Sequence, residues 1–153
     1  MEILNFAVTL VFAYIACLGF GFLFHIRGRL LFITPIGGVI IWAAELILRD
    51  FIASVVVRAL LATMLAAIFC EIVARVMKVP VTVFMIIAIL PLVPGGGIYY
   101  TMQACIRSDY ALFVTKGIET IGIAGAIAVG MLLISSVFRI ATTVTRQLYK
   151  DKA

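Results

Sequence analysis

The feature that most constrains this chain is a succession of apolar runs, each close to or somewhat above twenty residues, separated by short polar turns. At about 1.5 Å of rise per residue, a run of that length crosses the ~30 Å hydrocarbon layer of a bilayer as one α-helix. The runs fall at residues 3–24, 30–48, 51–74, 79–105 and 111–138. The first and fourth carry no Asp, Glu, Lys or Arg, and each of the others carries one or two. Composition closes off a soluble fold: of the 153 residues 65% are hydrophobic and 12% charged, too few polar side chains to cover a water-facing surface. The expected fold class is therefore an all-α integral membrane protein of about five transmembrane helices, or four if the second and third runs merge across Arg49-Asp50. Its expected organisation is a transmembrane helical domain over residues 1–138 and a short basic cytoplasmic tail over residues 139–153.

Three simpler readings of the polar residues fail. The first run follows Glu2 rather than a basic segment and is longer than the apolar core of a secretory signal, so it reads as a mature helix. The net charge of +5 sits in short loops and the tail, without interleaved aromatics, which fits topology determinants and not a nucleic-acid partner. Cys17, Cys70 and Cys105 are far apart, and His25 is the only histidine. Without CxxC or Cys/His spacing, neither a zinc site nor a disulfide framework is indicated, and the cysteines read as small buried residues. His25, beside Arg27 and Arg29, reads as a polar residue at headgroup level. Arg27, Arg29, Arg75, Lys78, Arg139, Arg146, Lys150 and Lys152 lie on one side of a five-span topology, against Arg49, Arg107 and Lys116 on the other. Eight against three places the first set in the cytoplasm, with the N-terminus outside and the C-terminus inside.

The fourth run carries the chemistry. Pro91-Leu92-Val93-Pro94-Gly95-Gly96-Gly97 lies about midway along it. A proline within a helix removes one backbone donor and clashes with the carbonyl four residues back, so this span is expected to break at mid-membrane. Freed backbone groups at that depth must face protein or a watery cavity. The carbonyls of Ile87 and Leu90 lose their helical donors to Pro91 and Pro94, and are expected to accept from an ammonium group or cation. The amides of Gly96, Gly97 and Ile98 are expected to head a second half-helix, whose dipole favours a carboxylate. Tyr99 and Gln103, four residues apart, share a face beyond the break and are candidates to line the route; the alternative is that the tyrosines are interfacial aromatics. Broken helices of this kind recur in secondary transporters, and the competing reading is a structural kink packed against a neighbour.

Charges inside the spans cost roughly 2.5–3.5 kcal/mol each to insert, so each calls for a partner. Arg58, Glu45 and Glu119 all fall near the outer ends of their runs, and an outer polar cluster is expected in which Arg58 pairs with Glu119 or Glu45; the alternative is that Arg58 snorkels outward. Glu71 and Arg75 read as an i,i+4 surface pair. Gly122, Ala126 and Gly130 form a small-residue stripe that lets another helix approach, either the chain's own or a partner's.

The run ILPLVPGGGIYYTM at residues 89–102, preceded by Lys78-Val79-Pro80, resembles the small membrane subunit of the threonine/serine exporter (ThrE-like) family. The resemblance extends over most of the chain, through the Arg27 loop, Gly37-Gly38 and the Glu71/Arg75 helix end. It implies export of threonine, serine or another small carboxylate-bearing metabolite, related systems handling dicarboxylates such as succinate. It also implies a bacterial inner (plasma) membrane location and a larger membrane subunit as partner, within a complex that can be a higher oligomer. If that partner starts inside and has an odd number of helices, it ends outside, where this chain begins, and the two halves are inverted. An intramembrane enzyme would need a nucleophile with a base, or metal ligands. The sequence has no GxSxG, no HExxH and no paired aspartates, so no enzyme activity, metal or cofactor is expected. A third class, a scaffold subunit that never touches substrate, has no need of a midplane break.

Overall fold

The computed structural model describes the backbone of residues 3–150 and the side chains of residues 4–143. It is helical throughout: α1 Ile3–Leu23, α2 Leu30–Leu48, α3 Val55–Met77, α4 Val81–Ile89, a 3₁₀ turn Leu90–Leu92, α5 Gly95–Ile106 and α6 Tyr110–Lys150. Four helices are long and apolar enough to cross a membrane, and the segments Val81–Leu92 and Gly95–Ile106, an apolar pair bent by 50°, make five spans if they cross as one. The second and third runs do not merge.

Local chemistry explains where the helices stop. Ser54, in an extended conformation, caps α3 by accepting a long 3.5 Å hydrogen bond from the Val57 amide. The third helix therefore begins at Val55, four residues later than the apolar run alone implies. Lys78 adopts the left-handed conformation at the other end, its amide returning to the Arg75 carbonyl, and Pro80 prevents any continuation. The Asp109 carboxylate accepts from the Leu112 amide at 3.1 Å and starts α6. That helix continues past Phe138 to Lys150. At 41 residues it is about 60 Å long, twice the hydrocarbon thickness. Of the basic tail expected at residues 139–153, the side chains from residue 144 onward lie outside the described residues.

α2, α3 and α4 form the packed centre: α2 contacts α1, α3 and α4, and α3 contacts α4 and α6. α5 has its main contacts with α6. Close packing without a hydrophobic drive between helices depends on small residues. α3 supplies them on its buried face, with Ala59, Ala62, Ala66 and Cys70 surrounding Phe84 and Ile41. The stripe on α6 serves this same core. An added Cβ on Gly122 would lie 3.0 Å from Val56, and one on Gly130 would lie 3.1 Å from the Leu60 carbonyl oxygen, while Ala126 between them is buried. At the far end of the same seam the Arg75 guanidinium, paired with Glu71, lies 4.7 Å over the Phe138 ring. Glu71 is buried and Arg75 exposed, so the pair sits at the edge of the α3–α6 interface, with only its Arg75 half on the surface as its spacing implies. The contact also brings the C-terminal end of α3 and the Arg139 region of α6 to one end of the bundle.

Candidate functional site

The broken span starts where the two prolines require it. Pro91 sits in the 3₁₀ turn and Pro94, with φ −77° and ψ 54°, stands just ahead of α5. The carbonyls expected to be orphaned have found other donors. Ile87 accepts from the Leu90 amide and, at 3.7 Å, from the Cys17 thiol on α1. Leu90 accepts from the Val93 amide at 3.3 Å. Ile87 thus has a donor on each lone pair, whereas Leu90, with one bond, keeps a lone pair that a cation can meet.

The amide side is open. Gly95 donates to the Val93 carbonyl at 2.7 Å, and Ile98 donates to the Pro94 carbonyl at 3.0 Å, which removes Ile98 from the expected set. Gly96 and Gly97 have no acceptor among the described residues, as befits the first turn of a helix. The three glycines differ in purpose. Nothing lies within 4 Å of a Cβ added to Gly95, and only a Tyr100 ring atom, at 3.9 Å, would meet one on Gly96. A Cβ on Gly97 would instead collide with the Thr120 hydroxyl of α6, so Gly97 is what lets α5 seat on that helix.

Contacts also fix the level of each part. Pro91 packs beside Gly38, midway along α2. Gly97 meets Thr120, two residues from Gly122, which meets Val56 at the start of α3. The break thus opens at the middle of the bundle and delivers the α5 N-terminus toward the end where α3 begins. The remaining ten residues of α6 before Thr120 run alongside α5.

The counter-face of the break is the Thr34-Pro35-Ile36-Gly37-Gly38 segment of α2. A Cβ on Gly37 would lie 2.8 Å from Ala88, and one on Gly38 would strike the Cys17 sulfur and approach Pro91 to 3.4 Å. Two glycines therefore bring α1, α2 and the broken span together at one level. Beside them the hydroxyls of Thr34 and, on α3, Thr63 are buried without a hydrogen-bond partner among the described residues.

With that geometry in view, the match to known families is informative. The family model described as Threonine/Serine exporter, ThrE, matches residues 9–137. The chain belongs to the threonine/serine exporter family. No significant match to a curated protein or to a solved structure was found. The matched region runs from Thr9, within α1, to Val137, within α6, and includes the break and every candidate site residue of this exporter-family chain.

Of the charges expected in this family member's outer cluster, two come together and one does not. The Arg58 Nε donates to Glu45 Oε1 at 2.9 Å, with both side chains nine-tenths buried. Arg58 Nη1 also donates to the Ile52 and Ala53 carbonyls at 2.8 and 3.3 Å, so one guanidinium ties α2, α3 and the turn between them. It does not snorkel outward. Glu119 pairs instead with Lys116 at 2.7 Å on its own helix, partly exposed, and forms no ion pair with Arg58 among the described residues. Tyr99 is 61% exposed and packs edge-on to Tyr100 at 5.4 Å between ring centroids. Gln103 is half-buried on the same helix. Neither side chain hydrogen-bonds to the break among the described residues. Cys17 and Cys70 are buried, whereas Cys105, near the end of α5, is exposed. The sequence reading missed the role of Gly37-Gly38 and of Cys17. The glycine pair was visible, but its partners are tertiary and leave no local signal.

Proposed function

We propose that this chain is the membrane subunit of a secondary exporter of small carboxylate-bearing solutes, threonine and serine first, working with a larger membrane subunit of the same family. The observation that carries the reading is the first turn of α5, where the Gly96 and Gly97 amides have no acceptor among the described residues and the space beside Gly96 is open, Gly97 being seated on Thr120. A helix N-terminus of this kind accepts a carboxylate through hydrogen bonds and dipole together. Family membership supplies the reaction class, movement of solute without chemistry. In this reading Pro91 and Pro94 hold the break open, Gly95, Gly96 and Gly97 line it, and Tyr99 and Gln103 lie along the onward route. Glu45 and Arg58 close the neighbouring end of the bundle. Glu119 belongs to the α6 surface beside α5. The more basic face lies in the cytoplasm of a bacterial inner membrane, with the N-terminus outside.

A second reading, export of a dicarboxylate such as succinate, is favoured by one finding. The Ile87 carbonyl, one of the two that would receive the ammonium group of an amino acid, already accepts two hydrogen bonds. One experiment separates the readings: efflux of labelled threonine, serine and succinate from proteoliposomes holding this chain alone, or with its larger partner. Efflux of threonine or serine that requires both chains is the expected result; succinate alone would select the second reading. No efflux of any of the three from a folded, assembled pair would overturn both.

A further inference from the structure

A threonine inside a helix ordinarily satisfies its own hydroxyl by donating to the carbonyl four residues back. Thr9, Thr101, Thr115, Thr120, Thr142 and Thr143 all do so, at 2.5–2.9 Å. Thr63 of α3 does not, and its buried hydroxyl has no hydrogen-bond partner among the described residues. Its Cβ and methyl lie against Gly130 of α6, and the residue lines a cleft between α3, α4 and α6. The cleft is too narrow to admit a water molecule, so solvent does not supply the missing partner in this conformation. Packing alone does not account for such a group, since a valine of the same shape would fill the place without the desolvated hydroxyl.

The cleft leads somewhere. Thr63, Ala66, Ala67 and Cys70 recur along one face of α3, so its floor is lined by small side chains toward the Arg75 end of that helix. Ile89, the last residue of α4 before the 3₁₀ turn, also lines it and joins it to the break. Met85 of α4 and Met131 of α6 close it over. Methionine is unbranched and rearranges readily, so this closure can part without dismantling a rigid core. Ser135, one turn beyond Met131, donates weakly to the Met85 sulfur at 4.0 Å and places a second hydroxyl on the same seam. The other side of α4 is sealed, with Gly37 tight against Ala88 and Gly38 tight against Cys17 and Pro91.

We infer that this seam is the cytoplasmic half of the solute route, closed in this structure, and that the Thr63 hydroxyl meets the solute's carboxylate on its way to the break. The inference rests on the transport reading and extends it to a second position. Gly97 is seated on Thr120, whereas Thr63 lies against Gly130, ten residues further along α6. The two contacts are therefore about 15 Å apart along the bundle and serve successive positions of one small solute.

The test is efflux of labelled threonine, serine and succinate from proteoliposomes holding this chain and its larger partner, compared for wild type, Thr63→Val and Thr63→Ser. Thr63→Val keeps the shape and removes only an unpartnered hydroxyl, so its unfolding midpoint in detergent should equal or exceed that of wild type. Its efflux should fall about tenfold or more, as loss of a hydrogen bond to a charged group implies, with half-saturation moved to higher internal solute. Thr63→Ser should keep most of the efflux. Cys70, buried on the same face of α3, gives a second readout. N-ethylmaleimide should alkylate it several times faster when solute is present, read by peptide mass spectrometry apart from Cys17 and Cys105. Wild-type efflux in Thr63→Val, a lowered unfolding midpoint in that variant, or a Cys70 rate that solute leaves unchanged would each overturn the inference and leave the α5 site standing. A wild-type pair that moves none of the three solutes would instead remove the transport reading, and this inference with it.

Discussion

Arg58 shows what a charge inside a membrane bundle demands. Its guanidinium has Glu45 on one side and two turn carbonyls on the other, so neither ion is left unpaired. Removing one member leaves the other buried and uncompensated, which costs about 3–5 kcal/mol in buried pairs, whereas removing both at matched volume is often near neutral. We therefore expect Arg58→Met and Glu45→Leu each to lower the unfolding midpoint in detergent sharply, and the double variant to recover most of the loss. Additive losses would show that the two charges are not each other's main partner. The glycines of the break make a second contrast at this scale. Gly97→Ala should destabilise by about 1–3 kcal/mol through overpacking against Thr120, and Thr120→Ala should relieve it. Gly96→Leu, with open space above it, should keep stability and partner assembly while stopping efflux. Wild-type efflux in Gly96→Leu would remove the α5 N-terminus from the route.

Elements were legible from the sequence to the extent that their causes are local. Apolar run length gave the five spans, and P-x-x-P-G-G-G gave the break, because both act within one segment of chain. The start of α3 was displaced by four residues because Ser54, a capping residue inside the apolar run, ends the extended turn before it. What could not be read was tertiary placement. Gly122 meets Val56 and Gly130 meets Leu60, so Glu119 lies past the level of Val56 while Glu45 is level with Arg58, and these tertiary offsets decide which glutamate faces Arg58. The engagement of the Ile87 carbonyl by Cys17, seventy residues away, is equally non-local. The α1–α2 contact offers a test at this scale. Gly38→Ala places a methyl group into the Cys17 sulfur and should loosen α1 from the break, lowering thermal stability; Cys17→Ala should restore it in the double variant. Failure of that rescue would mean that α1 is held elsewhere.

For the whole molecule the consequential question is whether the bent pair crosses the membrane or turns back within it. A re-entrant loop reverses direction, whereas α4 and α5 differ by 50°, so the second half continues the crossing begun by the first. The packing agrees, since α4 lies at the level of the middle of α2 and α3, while Gly97 has reached the end where α3 begins. A crossing puts Asp50 and Ser108 on one face of the membrane and Arg27 and Lys78 on the other. It also makes the span count odd, which places the termini on opposite faces and gives the inverted relation to a partner half that the transport reading calls for. Single cysteines can decide this. In a background with Cys105, the exposed native cysteine, replaced by alanine, Asp50→Cys and Ser108→Cys should react with an impermeant maleimide added outside intact cells. Arg27→Cys and Lys78→Cys should react only after the membrane is opened. If Ser108→Cys instead patterned with Lys78→Cys, the bent pair would be a re-entrant loop, the span count would fall to four, and both termini would share one face. The charge count would then lose its basis as well, because Arg107 and Lys116 would change sides.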